Sequence, residues 1–552
     1  MVVEAPNNLR TKGEVVLEIR DLRIDGYSDD NWSPILQGVD LTLRRGEVLG
    51  LIGESGAGKS TLGLAALGYV RNGCRFSGGT VMFDGIDLLQ ASEKQKRSLR
   101  GVRIAYVAQS AAASFNPAHR LLKQTTEVAT RNNLKSRAEA EADVKMLYKL
   151  LKLPNPEDIG SRYPHQVSGG QLQRVMMALA MSCRPDVIVL DEPTTALDVT
   201  TQVDVLAAIR DIVEQFNTAA IYVTHDLAVV SQMAHRIMVL RHGQTVEEAP
   251  TREMLRSPRA NYTRSLWAVR NLKKNEEPND DTILRVEGIS AAYSSDGPLV
   301  LDGVSLRIPR GRTVAIVGES GSGKSSIARV MTGLLPPTSG ETYFNGKLLP
   351  ATLEARNREM LRRIQMVYQS PDTALNPRHT VRELIGRPLQ FYTGLQGTAL
   401  VRRIVDLIEM IELDGNYLER LPGELSGGQK QRISLARALA ADPDLIICDE
   451  VTSALDQLVQ EEILKLLLRL QKELGLSYVF ITHDIAAVRA IADEIVVMHK
   501  GKVIEQGMKS KVLEPPYPEY TKLLLSSVPE MDPDWLTKLL TLRGGVAGSA
   551  VL

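Results

Sequence analysis

Two lysines, Lys59 and Lys324, each close a glycine-rich string, GESGAGKST (53–61) and GESGSGKSS (318–326). Strings of the form G-x-x-x-x-G-K-[ST] hold phosphate. Gly53, Gly56 and Gly58 let backbone N–H groups turn toward phosphate oxygens without side-chain obstruction. Lys59 adds a point charge for the β- and γ-phosphates, and Ser60, followed by Thr61, offers a hydroxyl to Mg²⁺. The helix that follows presents its positive end. Gly318, Gly321, Gly323, Lys324, Ser325 and Ser326 repeat the arrangement. One such string alone could be a glycine-rich turn without nucleotide; two, each placed between a strand and a helix, point to two phosphate sites.

Acids that could work on such a phosphate also come twice. The apolar runs VIVLDE (187–192) and LIICDE (445–450) deliver Asp191-Glu192 and Asp449-Glu450 at strand ends, where α/β sheets bind ligands. The first acid of each pair suits Mg²⁺, usually through water, and the second can accept a proton from an attacking water. A single such string would read as a strand end with solvated acids. His225 and His483 stand in T-H-D strings at further strand ends, placed to contact the γ-phosphate, although a lone His is more often structural. Gln109 (VAQS) and Gln369 (VYQS) lie at comparable strand ends and could touch the metal or the water.

A second kind of helix start is also present in duplicate. Ser168-Gly-Gly-Gln171 and Ser426-Gly-Gly-Gln429 match a capping box, with Ser at the N-cap and Gln three residues later. Their glycines, Gly170 and Gly428 among them, are poor helix formers and leave N–H groups bare for an oxyanion. Both readings stand at this level.

The elements that position these groups occur as two copies. The glycine-string lysines lie 265 positions apart, and the SGGQ serines, the DE aspartates and the THD histidines each lie 258 apart. The constant offset marks a duplication, with length differences confined to the region before SGGQ. Each copy alternates β-branched runs such as EVLGLIG, VIVLDE and AAIYVTH with helical patterns, the signature of a buried parallel sheet. IMVLRHGQTVEEA (237–249) and IVVMHKGKVIEQG (495–507) read as hairpins turning at a glycine. The expected organisation is a first domain over 13–275, a polar linker at 276–283, a second domain over 284–529 and a tail at 530–552. Residues 1–12 and 544–552 read as mobile ends.

Bulk properties restrict the function. A chain of 552 residues exceeds one ordinary core. Its 66 basic residues balance 66 acidic ones, which supplies no general reason to bind nucleic acid. Cys74, Cys183 and Cys448 are scattered without CxxC spacing, against a zinc, iron–sulfur or disulfide framework. No apolar run approaches the ~18 residues needed to cross a bilayer, and the N-terminal stretch has an early Glu and no apolar h-region, unlike a secretory signal.

Together these residues resemble the ABC ATPases. GESGAGKST and GESGSGKSS look like Walker A, VSGGQ and LSGGQ like the signature, VIVLDE and LIICDE like Walker B. TALD and SALD, with Asp198 and Asp456, look like the D-loop, and His225 and His483 like the switch histidine. The resemblance covers nearly the whole chain and implies two tandem P-loop NTPase domains, each α/β with a parallel-sheet core, an antiparallel β subdomain and a helical subdomain. It implies ATP and Mg²⁺ as cofactors, and it implies that each nucleotide lies between the Walker A of one copy and the signature of the other. Site one would combine Lys59, Ser60, Gln109, Asp191, Glu192 and His225 with Ser426 and Gly428. Site two would combine Lys324, Ser325, Gln369, Asp449, Glu450 and His483 with Ser168 and Gly170. Tyr27 and Tyr293 look like the adenine-stacking aromatics, with Trp32 a rival to Tyr27. Val167 departs from the usual signature Leu, and Val451 from the usual Pro after Walker B; neither removes a catalytic group, so both sites are expected to be competent.

The chain is further similar to the oligopeptide/dipeptide/nickel branch of importers, through QSAAASFNPAHR (109–120), QSPDTALNPRHT (369–380) and the Pro/Tyr-Thr segments SPRANYTRSLWAV (257–269) and EPPYPEYTKLLLSSVP (514–529). That resemblance implies peripheral attachment at the cytoplasmic face of the membrane, two transmembrane permease subunits and an extracytoplasmic substrate-binding protein. The cargo expected is di- or oligopeptide, with glutathione, nickel chelate, opine or sugar as alternatives. A ribosome-associated ABC protein would carry a long charged helical hairpin between the copies, and a DNA-repair ABC ATPase would carry zinc cysteines; neither is present in the sequence.

Overall fold

The computed structural model describes residues 12–28, 30–194, 197–268, 272–294, 296–453 and 455–547. The chain divides into two compact units, 1–268 with 529–552, and 269–528.

In the first unit a six-stranded sheet runs in the order Gln244–Pro250, Arg236–Arg241, Val48–Ile52, Ala219–Val223, Val187–Asp191, Ile104–Val107. All neighbours are parallel except the edge hairpin Arg236–Arg241/Gln244–Pro250. Every residue of Val48–Ile52, Val187–Asp191 and Ala219–Val223 is buried, which is why these runs read as continuous apolar stretches without alternation. An antiparallel sheet of Asn31–Arg44, Val15–Ser28, Cys74–Phe83 and Ile86–Asp87 packs its inner face into the same core. The helices Leu121–Arg131, Arg137–Leu150 and Gly169–Met181 form the helical part. The second unit repeats this plan: its six-stranded sheet is ordered Ile364–Val367, Leu445–Asp449, Ser477–Ile481, Thr313–Val317, Glu494–His499, Lys502–Met508, with a four-stranded antiparallel sheet beside it.

The topology explains the site. In each unit the strand feeding the glycine loop is central, flanked by the strand ending at the histidine and, one further out, by the strand ending at the acid pair. All these parallel strands end on the same sheet edge, so loop, acids and histidine converge.

The domain borders differ from those expected. Residues on both sides of the expected border at 275/276 are docked on the second unit: the ammonium of Lys274, placed in the first domain from the sequence, bonds the Gln471 amide oxygen at 2.7 Å and the buried Asp493 carboxylate, and Glu276, the first residue of the expected linker, takes the Ser510 hydroxyl. The strand that opens this unit begins at Thr282, inside the expected linker. The stretch read as a tail from 530 belongs to the first unit. Its helix Trp535–Ala547 buries Trp535, Leu536 and Leu539, and the buried Gln232 side chain reaches it three times, donating to the carbonyls of Glu530 (2.7 Å) and Asp532 (2.8 Å) and accepting from the Leu536 N–H (3.0 Å). Arg252 adds a fork onto Asp534. The apolar positions of this helix are too few and too close to the chain end to signal a docked element without the surface that receives them. Residues 1–11 and 548–552, expected as mobile ends, lie outside the described residues, whereas 544–547 continue the helix.

Candidate functional site

The glycine loop leaves the central strand at Gly53, whose φ is 149°; a Cβ there would meet the Leu240 carbonyl oxygen at 2.1 Å. Gly318 repeats this, with φ 150° and the Met498 carbonyl oxygen at 2.2 Å. Only glycine allows the loop to pass so close to the adjacent strand. The loop then enters helices beginning at Lys59 and Lys324, with Gly58 and Gly323 as left-handed N-caps. No side chain caps either helix, so the first N–H groups remain directed into the loop. The lysines are nearly buried, and each ammonium donates to two loop carbonyls, Lys59 to Gly53 (2.7 Å) and Glu54 (2.8 Å), Lys324 to Gly318 and Glu319 (both 2.8 Å).

The hydroxyl and carboxylate expected to serve the metal are brought together in both units. Ser60 Oγ donates to Asp191 Oδ1 at 3.0 Å, and Ser325 Oγ to Asp449 Oδ1 at 3.0 Å. A hydroxyl beside a carboxylate at a phosphate loop is the hard-oxygen donor set that Mg²⁺ prefers, with waters and phosphate completing it. Burial pushes the Asp449 carboxyl up against the opposing pull of the Ser325 hydroxyl.

The second acid of each pair is clamped from two sides. Gln109 Nε2 donates to Glu192 Oε2 at 3.0 Å, and His225 Nδ1 lies 3.0 Å from Glu192 Oε1. In the second unit Gln369 Nε2 donates to Glu450 Oε2 at 2.8 Å, and His483 Nδ1 stands 3.5 Å from Glu450 Oε1. Burial opposes charge on both imidazoles, but the facing glutamates outweigh it and raise the pKa of each. Burial likewise opposes charge on Glu450, where His483 reverses the balance and lowers its pKa. Glu192 and Glu450 also adopt left-handed backbone, φ 48° and 50°, held by N–H bonds of 2.9 Å to Val223 and Ile481. A non-glycine residue in that region stores strain, and the same strain at the same carboxylate in both units marks it as a positioned group.

Other residues singled out from the sequence fall at different places. The SGGQ capping box forms in both units: Ser168 Oγ accepts from Gln171 N and Gln171 Oε1 from Ser168 N, as do Ser426 and Gln429. Gly170 and Gly428 are packing glycines, since a Cβ would strike Thr201 at 2.6 Å and Val459 at 2.4 Å; at Gly169 the space is open. Asp198 and Asp456 cap the helices Val199–Phe216 and Gln457–Leu474. Tyr27 and Trp32 pair across the first antiparallel sheet with ring centroids 5.2 Å apart, and Arg75 lies over Trp32. Tyr293 is instead tied to the loop helix, its hydroxyl 3.0 Å from Ser326 Oγ, while its ring stays exposed.

Sequence reasoning passed over Tyr106. Its hydroxyl donates to Asp191 Oδ2 at 2.5 Å, so Asp191 serves two hydroxyls while Asp449 has Met366 at the corresponding position, three residues before the Gln. Burial and the Asp191 carboxylate hold the phenol above the ordinary tyrosine range. The repeat comparison could have flagged this difference; the contact itself spans 85 positions. Tyr106→Phe frees one carboxylate oxygen, and a hydrogen bond to a charged group is worth ~1.5–3 kcal/mol. The expected outcome is Mg²⁺ dependence of ATP binding to the first unit shifted about ten-fold lower, measured with Lys324→Ala silencing the second; an unchanged midpoint would show that Tyr106 does not compete with the metal.

Fold and site define a P-loop ATPase built twice in one chain. Residues 36–195 and 301–453 match the ABC transporter family, and 504–550 match the oligopeptide/dipeptide transporter C-terminal region. The chain belongs to the ABC transporter family, as an ATP-hydrolysing import subunit of the oligopeptide/dipeptide branch. It is 35% identical to the glutathione import ATP-binding protein GsiA of Salmonella choleraesuis (strain SC-B67), over 94% of this chain and 90% of that one. It is 34% identical to the protein of the same name from Escherichia coli O157:H7, with the same coverage. Among solved structures, cbiO1 from Clostridium perfringens, part of the ABC transporter complex cbiONQ, is 33% identical over 42% of this chain and 91% of that chain, with a TM-score of 0.39.

Proposed function

We propose that the chain hydrolyses ATP at two sites to drive import of a peptide-class solute through separate transmembrane permease subunits, with cargo delivered by an extracytoplasmic binding protein. The observation that carries the reading is that both units hold the same clamped glutamate beside a complete glycine loop, so neither is degraded. Lys59 and Lys324 would hold the β- and γ-phosphates, and Ser60 with Asp191, and Ser325 with Asp449, would hold Mg²⁺, which when bound would supply positive charge against the phosphoryl group being transferred. Glu192 and Glu450 take the proton of the attacking water. His225 and His483 orient the γ-phosphate, while Gln109 and Gln369 position the water or the metal. Tyr27 and Tyr293 offer rings to adenine. The Ser168 and Ser426 helix starts are assigned to the nucleotide of the opposite unit on the resemblance to ABC proteins alone.

The cargo assignment rests on the match of 504–550 to the oligopeptide/dipeptide region and on relatives named for glutathione import. Glutathione is itself a tripeptide, so a peptide-class solute covers both. Among the described residues no helix is long and apolar enough to cross a membrane, so attachment is assigned to the permease partners. Affinity capture of the full chain from membranes is expected to bring down two integral-membrane proteins, and cells lacking it to lose uptake of labelled dipeptide or glutathione. Capture with no membrane partner would overturn the import reading; uptake loss confined to a non-peptide solute would overturn the cargo.

A further inference from the structure

Each unit has a tyrosine outside its ATPase core that holds the glycine loop from behind. The Glu54 N–H, at the second position of the first loop, donates to the Tyr262 hydroxyl at 3.2 Å; the Glu319 N–H, at the second position of the other, donates to the Tyr520 hydroxyl at 3.0 Å. Tyr262 lies on the helix Asn261–Ala268 and Tyr520 on the helix Glu519–Ser526, both beyond the edge hairpin. The two tyrosines are 258 positions apart, the spacing of the acids and histidines, so the bond forms twice, independently, within one molecule. The residue against each ring also corresponds. The Arg241 guanidinium sits 4.6 Å from the Tyr262 ring centre, and the His499 ring lies 4.0 Å from that of Tyr520. Both come from the strand under which the loop passes, Arg236–Arg241 and Glu494–His499.

The arrangement matters because of what the loop is made of. Gly53, Gly56 and Gly58 all take positive φ, as do Gly318, Gly321 and Gly323. Three glycines in six residues carry much backbone freedom that must be lost before the N–H groups converge on phosphate. The second residue directly follows the first of these glycines, between it and the other two. A side-chain acceptor fixed on a packed helix (Tyr262 is 9% exposed) restrains it there, and the carbonyl of the same residue receives Lys59 or Lys324. Preorganisation of this kind is read out as ligand affinity.

We propose that Tyr262 and Tyr520 are positioning residues for the phosphate loops, through which the segment after each ATPase core sets the affinity of its own unit for nucleotide. This rests on the reading of both loops as ATP sites. Tyr262→Phe in the full chain, with Lys324→Ala silencing the other unit, keeps the ring and its packing and removes only the hydroxyl that accepts from the Glu54 N–H. MgATP affinity is expected to fall roughly three- to ten-fold, the worth of one neutral hydrogen bond. The melting temperature without nucleotide stays unchanged, and the stabilisation by MgATP shrinks. Tyr520→Phe with Lys59→Ala is expected to behave alike. In the otherwise native chain each Phe variant raises KM for ATP more than it lowers kcat. Unchanged affinity in both Phe variants while the parent chain binds MgATP would overturn this inference alone. A lowered melting temperature with unaltered affinity would also overturn it, by showing a purely structural role. Failure of the parent chain to bind MgATP would overturn the underlying reading of the loops.

Discussion

Glu192→Gln and Glu450→Gln together are expected to cut ATP turnover severely while leaving ATP binding in place. In each unit this carboxylate combines a base, a left-handed backbone at a strand end and two polar neighbours, one at each oxygen. Glutamine preserves size and can still accept from Gln109 or Gln369, so the loop and the metal oxygens stay in place. What is lost is the proton acceptor, and general-base catalysis contributes roughly 10²–10⁴-fold. Phosphate release at saturating MgATP is expected to fall by at least about 10²-fold in the double variant, with nucleotide affinity within two-fold or so of the parent by filter binding. A double variant that turns over within about three-fold of the parent would move the base elsewhere.

Lys59→Ala and Lys324→Ala test whether the sites act together. Each lysine is nearly buried and held by two carbonyls of its own loop, so its ammonium is already placed where phosphate charge must be met. Removing one such electrostatic partner costs on the order of 10²–10³-fold at its own site. If each nucleotide is completed by the opposite unit, one empty loop disables both sites, and either single variant loses nearly all steady-state activity. Independent sites would leave about half the rate in each variant, a two-fold against a 10²-fold outcome. The assay is the hydrolysis rate of the two single variants beside the parent.

The chemistry of this chain is unusually legible because it is written in short strings. Glycine spacing, a lysine after it, an acid pair ending an apolar run and a T-H-D string are all local, and the duplication supplies a second, independent copy of each. Strand-end positions could be read for Asp191, Glu192 and His225 because fully buried parallel strands leave continuous apolar runs that stop where the sheet stops. The SGGQ strings were legible only to the level of two alternatives. The capping box is local and forms in each unit, whereas the reason for glycine at 170 and 428 is the approach of Thr201 and Val459, about thirty positions away.

What lies between units of sequence was not legible. Tyr106 reaches Asp191 across 85 positions, Tyr262 reaches Glu54 across 208, and Gln232 meets Leu536 across 304. A tyrosine in a strand or on an amphipathic helix has the same local pattern whether its hydroxyl faces water or a phosphate loop, and only packing tells which. The same holds for the borders: the polar residues 274–276 read as the end of the first domain and the start of a linker, yet their charges find Asp493, Gln471 and Ser510 on a folded surface. Residue types and spacings alone determined that this protein carries two phosphate loops, two acid pairs and two histidines on repeated α/β scaffolds. The tertiary structure decided which oxygen each of those groups faces, which outside side chains restrain them and where the final helix docks, because hydrogen bonds and burial depend on distance in space, which chain order does not encode.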